Sequence, residues 1–179
     1  MFRAGAKAGL LGAGIVALVQ LFSFFISLLP SDLSLPLGVC FLVITLLIMV
    51  GIGAWAGQLL GRPTVGRGLG AGSLAGLIVG LGQGLVLALS MVLGITVLHL
   101  TGRLPATLGS ESMQALWELG AEPYPTTLSL LTTMILVFGV PIFMVLGALL
   151  GAGGGGAYAL IVHNAPLPAA AGSEEEDEL

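Results

Sequence analysis

Two glutamines are the polar side chains of this sequence that are best placed to act inside an apolar environment. Gln20 lies in the uncharged stretch between Lys7 and Asp32, and Gln83 lies in the one between Arg67 and Arg103. An amide carries both donors and an acceptor, and it is costly to leave unpaired in hydrocarbon. We therefore expect the two amides at equal depth, either as hydrogen-bonding glue between helices or as the lining of a path for a solute.

The remaining polar residues do not form a recognisable catalytic or metal-binding set. His99 and His163 are expected at opposite membrane faces, whereas haem ligation across a bundle needs two ligands at one height. Cys40 is the only cysteine, so it cannot form an intrachain disulfide or a cysteine cluster. No nucleophile can be paired with a base among the buried polar residues. We predict no enzymatic activity, catalytic residue, metal or cofactor.

Composition places these residues in a membrane protein. The sequence is 56% hydrophobic and 8% charged, with a mean hydropathy of +1.10, whereas soluble domains carry about a quarter charged residues. The acids are concentrated near the C-terminus, and no basic surface for nucleic acid is present. No Asp, Glu, Lys or Arg lies inside the apolar stretches, which argues against ion-coupled transport.

The apolar stretches predict an all-α integral membrane protein with four transmembrane helices, over about residues 8–29, 37–60, 69–100 and 127–162. These spans form one domain over residues 1–164. The loop 101–126 is predicted to hold a short interfacial helix over 110–120, with Trp117 anchored in the headgroup layer. The last two spans exceed the hydrocarbon thickness, and Gly94 and Pro141 are candidate bends. Residues 165–179 are expected to form a disordered acidic cytoplasmic tail.

The few cations predict the orientation of the chain. Arg3, Lys7, Arg62 and Arg67 fall on one side of the predicted spans, and Arg103 falls on the other. Cations close to the ends of spans favour the cytoplasmic side. We therefore expect a multi-pass protein of a bacterial-type inner (plasma) membrane, with both termini in the cytoplasm.

Small residues recur at every fourth position in all four spans. In lipid, such a stripe lets helix backbones approach closely, so we predict glycine-zipper packing. The predicted packing residues are Gly53, Gly57, Gly61, Gly68, Gly72, Gly76, Gly80, Gly84, Gly147, Gly151 and Gly155. All of them fall in the cytoplasmic halves of the spans, so the bundle should be narrow inside and wider outside. Further small residues in the last two spans suggest a second contact, with another copy or a foreign helix.

An internal repeat is also visible in the sequence. Residues 8–20 align with residues 71–83 at a constant offset that places Gln20 on Gln83, and the Gly53 stripe resembles the Gly147 stripe. The pattern predicts two repeated helical hairpins, which would be related by an axis along the membrane normal.

These features favour a non-catalytic integral membrane protein, a structural or accessory subunit that packs in a membrane assembly or self-associates. Its expected partners are the lipid bilayer and other membrane helices, either copies of the chain or a foreign subunit. The alternative is a channel or carrier for a small neutral or apolar solute, lined by Gln20 and Gln83. A dry, mutually bonded glutamine pair would favour the scaffold, and a wet cavity at the glutamines would favour the carrier.

The predicted orientation can be tested by cysteine labelling of intact cells. In a Cys40→Ser background, we expect a cysteine at Thr64 to be protected from a membrane-impermeant maleimide and one at Ser112 to be labelled. The reason is that four cations lie on the Thr64 side of the predicted spans and one lies on the Ser112 side, and cations near span ends favour the cytoplasm. Labelling of the Thr64 site from outside, with protection of the Ser112 site, would reverse the orientation.

Overall fold

The computed structural model describes residues 1–27, 31–104 and 108–164, and within these ranges the backbone is helical apart from short connections. Helix α1 covers Phe2–Ser27, α2 covers Ser31–Gln58 and α3 covers Val65–Leu100. The short α4 covers Ser110–Glu118. The last long segment consists of α5 (Pro123–Met134), a π-helical segment (Ile135–Gly139) and α6 (Val140–Asn164).

The expectation of an all-helical protein with four long apolar helices is confirmed. The stretches apolar enough to cross a membrane are Phe2–Phe24, Val39–Gln58, Val65–Leu100 and Pro123–Asn164. The helices nevertheless begin before the expected spans, and α1 begins at Phe2 rather than near residue 8. An apolar window marks where hydrocarbon begins, whereas a helix continues until a breaker or cap ends it. The predicted disordered tail, residues 165–179, lies outside the described residues.

Of the two candidate bends, only the one at Pro141 coincides with a change in helix type. Helix α3 continues through Gly94 without interruption. The fourth span instead widens to a π-helix over Ile135–Gly139, directly before Pro141. Proline has no N–H to donate and its ring clashes with the carbonyl four residues earlier. A π turn is the kind of local irregularity that accommodates such a residue within a helix.

Helices α3 and α6 run antiparallel with their backbones in direct contact. A Cβ atom added at Gly72 would overlap the carbonyl oxygen of Gly151, and one added at Gly76 would overlap that of Gly147. Likewise, a Cβ added at Gly151 of α6 would overlap the carbonyl oxygen of Gly72, and one added at Gly147 would overlap that of Gly76. The facing pairs along the contact are Gly68 with Gly155, Gly72 with Gly151, Gly76 with Gly147, Gly80 with Phe143 and Gly84 with Val140. No side chain larger than hydrogen fits at the central pairs unless the helices move apart.

Both helices use a second face for another neighbour in the same chain. A Cβ at Gly154 of α6 would overlap the carbonyl oxygen of Val50 in α2. On the opposite side, a Cβ at Gly5 of α1 would lie 2.8 Å from the carbonyl oxygen of Ala71 in α3. The small residues beyond the main stripe, which the sequence assigned to a foreign or copied helix, therefore have intrachain partners at these positions.

These contacts are concentrated at one end of the bundle, next to the connection between α2 and α3. We call this end, which includes residues 53–57, 68–84 and 147–155, the glycine half, and the opposite end the α4 half. The largest fully buried side chains are Met49, Val16 and Val79. The bundle is thus held by close backbone approach rather than by a core of large side chains, as expected where lipid removes the hydrophobic drive.

Substitution of Gly76 by alanine should destabilise the bundle by about 1–3 kcal/mol, because the added methyl group must push apart two backbones that cannot relax locally. Thermal unfolding in a mild detergent measures this effect. Gly14→Ala is the matched control, since a Cβ there meets nothing within 4 Å. At Gly94 the nearest atom is Phe24 Cε2 at 3.6 Å, so Gly94→Ala should also be tolerated. Equal melting temperatures for all three variants would contradict the close contact.

Candidate functional site

A cavity of about 440 Å³ lies where the glycine contacts end, and all four long helices contribute to it. We call it the glutamine cavity, because Gln20 and Gln83 both line it. The remaining lining residues are Ser23, Phe41, Leu42, Thr45, Leu46, Met49, Leu87, Phe143 and Leu146. The structure therefore brings together the two amides that the sequence singled out.

Residue size explains why the cavity opens at this level. The contact of α3 with α6 ends at Gly80 against Phe143 and at Gly84 against Val140. Beyond it, α3 presents Leu87 and α2 presents Leu46 in place of glycines. Larger side chains hold the helices further apart, and the gap between them is the cavity.

The amide of Gln83 is buried without a full set of hydrogen bonds. The residue is 8% exposed, and its Oε1 has no hydrogen-bond partner. In the described part of the structure no hydrogen bond joins Gln83 to Gln20, so the mutually bonded pair is not what is observed. An unpartnered buried acceptor costs about 1–3 kcal/mol. The oxygen and nitrogen of an amide exchange places by rotation of the terminal group, so either could be turned toward the cavity.

A second cavity of about 370 Å³ adjoins the first along α3, and we call it the α5 crevice. The two cavities share Gln20, Ser23 and Leu87. The other residues lining the crevice are Phe24, Ser90, Met91, Gly94, Ile95, Leu98, Leu104, Leu108, Thr127 and Leu131. Because they share these residues, the two cavities lie side by side along α3.

Ser90 is a second buried polar group without a partner. It is 6% exposed, and its Oγ makes no hydrogen bond. Hydroxyl groups on helices usually bond a carbonyl of the preceding turn. Thr45 does so with the Phe41 carbonyl at 2.8 Å, and Thr96 does so with the Val92 carbonyl at 2.7 Å. Ser90 departs from this behaviour on the face of α3 that also carries Gln83, and sequence reasoning could not have distinguished it from the other hydroxyls.

The lining of both cavities is uncharged. No Asp, Glu, Lys, Arg or His is among the described lining residues, and the described residues contain no group of three potential metal ligands. Amides and hydroxyls that lack a neighbouring base can bind and orient a molecule but do not supply a nucleophile. The arrangement is suited to neutral, mainly apolar molecules that form one or two hydrogen bonds.

Three of the residues that line the glutamine cavity are exposed at the surface of the bundle. They are Leu42 and Leu46 on α2 and Leu146 on α6, which are 61%, 37% and 42% exposed. From their exposure we infer a mouth between α2 and α6. In a membrane it would face lipid, because these leucines lie on the surface of helices long and apolar enough to span it.

A tyrosine that sequence reasoning missed connects α5 to α3 near the α5 crevice. The hydroxyl of Tyr124 lies 3.2 Å from Thr96 Oγ1, and its ring stacks on His99 with the ring centroids 4.1 Å apart. His99, considered as a metal or haem ligand, is therefore a stacking partner here. The available signal was the position of Tyr124 between Pro123 and Pro125 at the start of a helix.

Two other predicted residues are also located by the structure. Gly61 lies after the end of α2 with φ = 75° and with nothing within 4 Å of an added Cβ. It forms a turn in the left-handed region that glycine favours, and its N–H donates a hydrogen bond to the Gln58 carbonyl at the end of α2. Trp117 lies on α4 and is 66% exposed, so its anchoring in the headgroup layer stays a prediction.

Replacing Gln83 by methionine should stabilise the protein by about 1–3 kcal/mol, because the substitution removes an unpartnered buried amide while keeping the side-chain length. The measurement is thermal unfolding in detergent without added small molecules. Thr96→Val is the contrasting variant, since it removes a hydroxyl that is hydrogen-bonded to Tyr124 and Val92, and it should lower the melting temperature. A lower melting temperature for Gln83→Met would show that the amide is satisfied in the protein.

Comparison of the chain with protein-family models, with curated proteins and with solved structures finds no match in any of the three. The residues that line the two cavities are therefore the basis on which its function can be inferred.

Proposed function

We propose that this protein is a non-catalytic integral membrane protein that binds a small neutral, largely apolar molecule between Gln20 and Gln83, as a carrier or receptor. The observation that carries the proposal is the buried amide of Gln83, whose Oε1 has no partner although the residue lines a 440 Å³ cavity. A group left unpaired inside a protein destabilises it unless a ligand completes its hydrogen bonds. Buried polar groups without partners break the usual rules of protein packing, and such exceptions are concentrated at functional sites.

The chemistry of the lining supports a neutral ligand. An ion taken from water into this cavity would lose its hydration without gaining a counter-charge from the described lining residues, and that loss is large. A neutral molecule with one hydroxyl or N–H group loses little hydration free energy and can donate a hydrogen bond to the Gln83 amide. Gln20 and Ser23, on the facing helix, supply further hydrogen-bonding groups.

The scaffold function favoured by the sequence has less support from the geometry. Its main argument was a surplus of small residues, and Gly154, Ala71 and Ala75 are engaged within the chain. Glycines that lie in helices and meet nothing within 4 Å include Gly14, Gly51 and Gly153. These glycines leave room for close contact with other membrane helices, either copies of the chain or a foreign subunit. A scaffold that packs with such helices is therefore the second candidate function.

We also propose the finer architecture that the sequence indicates. The backbone overlaps between α3 and α6 support glycine-zipper packing. The presence of Gln20 and Gln83 in one cavity supports two repeated hairpins, since the repeat places these residues in register. The distribution of cations supports a bacterial-type inner membrane with cytoplasmic termini.

Binding can be tested in lipid nanodiscs with 4-fluorobenzyl alcohol, a neutral probe with one hydroxyl group, observed by fluorine NMR. We expect saturable binding that is about 2- to 10-fold weaker in Gln83→Met, which corresponds to the loss of one hydrogen bond of about 0.5–1.5 kcal/mol. Gln58→Met is the matched control, because Gln58 is an exposed glutamine at the end of α2 outside the cavity.

The same experiment separates the two candidates. Equal affinity for the wild type, Gln83→Met and Gln58→Met would place the probe elsewhere and overturn the proposal. Absence of saturable binding, together with a second protein recovered at fixed stoichiometry in mild detergent, would favour the scaffold.

A further inference from the structure

The ligand class can be defined more closely, on the basis of the proposed function. We infer that the site binds a long-chain neutral alcohol taken from the bilayer, with its hydroxyl at Gln83 and its chain in the α5 crevice pointing toward α4. The inference rests on the two cavities that lie side by side along α3, on the order of polar and apolar residues along them, and on the two cavity-lining residues, Gln83 and Ser90, that have a buried atom without a hydrogen-bond partner.

The extent of the two cavities along α3 favours an elongated ligand. The lining of the glutamine cavity and the α5 crevice follows α3 from Gln83 to Leu98 without a break, through the shared residue Leu87. At 1.5 Å per residue this stretch of helix is roughly 22 Å long. A compact solute would occupy only part of such a space, whereas a single extended chain can occupy all of it.

Polarity changes along this length in one direction. Gln83 lies at the end next to the glycine half, Gln20 and Ser23 line both cavities, and Ser90 lies two turns beyond Gln83 along α3. Beyond Ser90 the lining is apolar, except for Thr127. It consists of Met91, Gly94, Ile95, Leu98, Leu104, Leu108 and Leu131. The polar end of a ligand is therefore expected at Gln83, and its apolar end near α4.

The two unpartnered atoms define the polar end as a hydroxyl group. Gln83 Oε1 is an acceptor without a donor, and the hydroxyl of Ser90 can donate or accept. An alcohol can donate to the amide and accept from it after rotation of the terminal group. A phosphate headgroup would place a charge against a lining in which no cation is described, at a large desolvation cost.

The position of the mouth indicates the bilayer as the source of the ligand. Leu42, Leu46 and Leu146 open the glutamine cavity toward lipid between α2 and α6. Gln83 lies near the middle of α3, which runs from Val65 to Leu100. A long-chain alcohol dissolved in a bilayer keeps its hydroxyl near the headgroups, whereas this site would hold it at mid-depth.

Photo-crosslinking tests both the ligand class and its direction. Two hexadecanols, one with a diazirine next to the hydroxyl and one with a diazirine near the chain end, are irradiated with the full-length protein in nanodiscs. We expect the first to modify segments around Gln20 and Gln83, and the second to modify segments around Leu98, Leu104 and Leu131. Unlabelled hexadecanol should compete fully, and hexadecyl methyl ether, which cannot donate a hydrogen bond, should compete about 2- to 10-fold less well.

The Gln83→Met variant should remain folded, and its labelling by the first probe should be lower by a similar factor. The Gln58→Met variant should behave as the wild type. Saturable labelling with the two maps exchanged or identical would overturn the bound direction and leave the proposed function intact. Binding of 4-fluorobenzyl alcohol without saturable labelling by either hexadecanol would overturn the long-chain class alone. Failure of all three probes would overturn both proposals.

Discussion

The approach of the α3 and α6 backbones at Gly72, Gly76, Gly147 and Gly151 is the contact on which the rest of the structure depends. In lipid, helices gain little from burying apolar side chains, so packing must come from close van der Waals contact. Glycine permits that contact by removing the side chain from the interface. Because α6 also meets α2 through Gly154, and α3 also meets α1 through Ala71, these two helices together hold the bundle. The end of the same contact determines where the helices can separate, and so where a cavity can form.

The unpartnered polar groups that are available to a ligand also lower the stability of this bundle. Among the residues whose burial is described, the largest fully buried side chains are Met49, Val16 and Val79, so little hydrophobic energy is available to offset a defect. An unpartnered amide at Gln83 and an unpartnered hydroxyl at Ser90 are nevertheless placed in its interior. The glycine half, where packing is closest, provides the rigidity that allows Gln83 at its edge and Ser90 beyond it to lie around open space. Such a division between a rigid part and a binding part is common in proteins that carry function on a stable framework.

The sequence predicted the features that depend on pattern and missed those that depend on three-dimensional neighbours. Four long helices follow from the spacing of charges and prolines, and the two glutamines that the sequence singled out line one cavity. Their equal depth stays a prediction. A glycine pattern cannot show which helix it meets, so the second contact of Gly154 with α2 was assigned to another chain. Gly61 fits the four-residue stripe in sequence but lies beyond the end of the helix, where a turn uses it instead. Nothing in the sequence separates Ser90 from hydroxyls that bond their own helix.

The π-helical segment Ile135–Gly139 constrains how the length of this chain can vary. Each residue turns an α-helix by about 100°, so the addition or loss of one residue rotates everything beyond it by that angle. The length of this segment determines how α5 is rotated relative to α6. In the observed rotation, Thr127 and Leu131 of α5 line the crevice while Val140 of α6 contacts Gly84. Deletion of a single residue here would turn Tyr124 away from Thr96 even if every remaining side chain were kept. In the evolution of this protein, the number of residues between α5 and α6 is therefore more strictly limited than their identity.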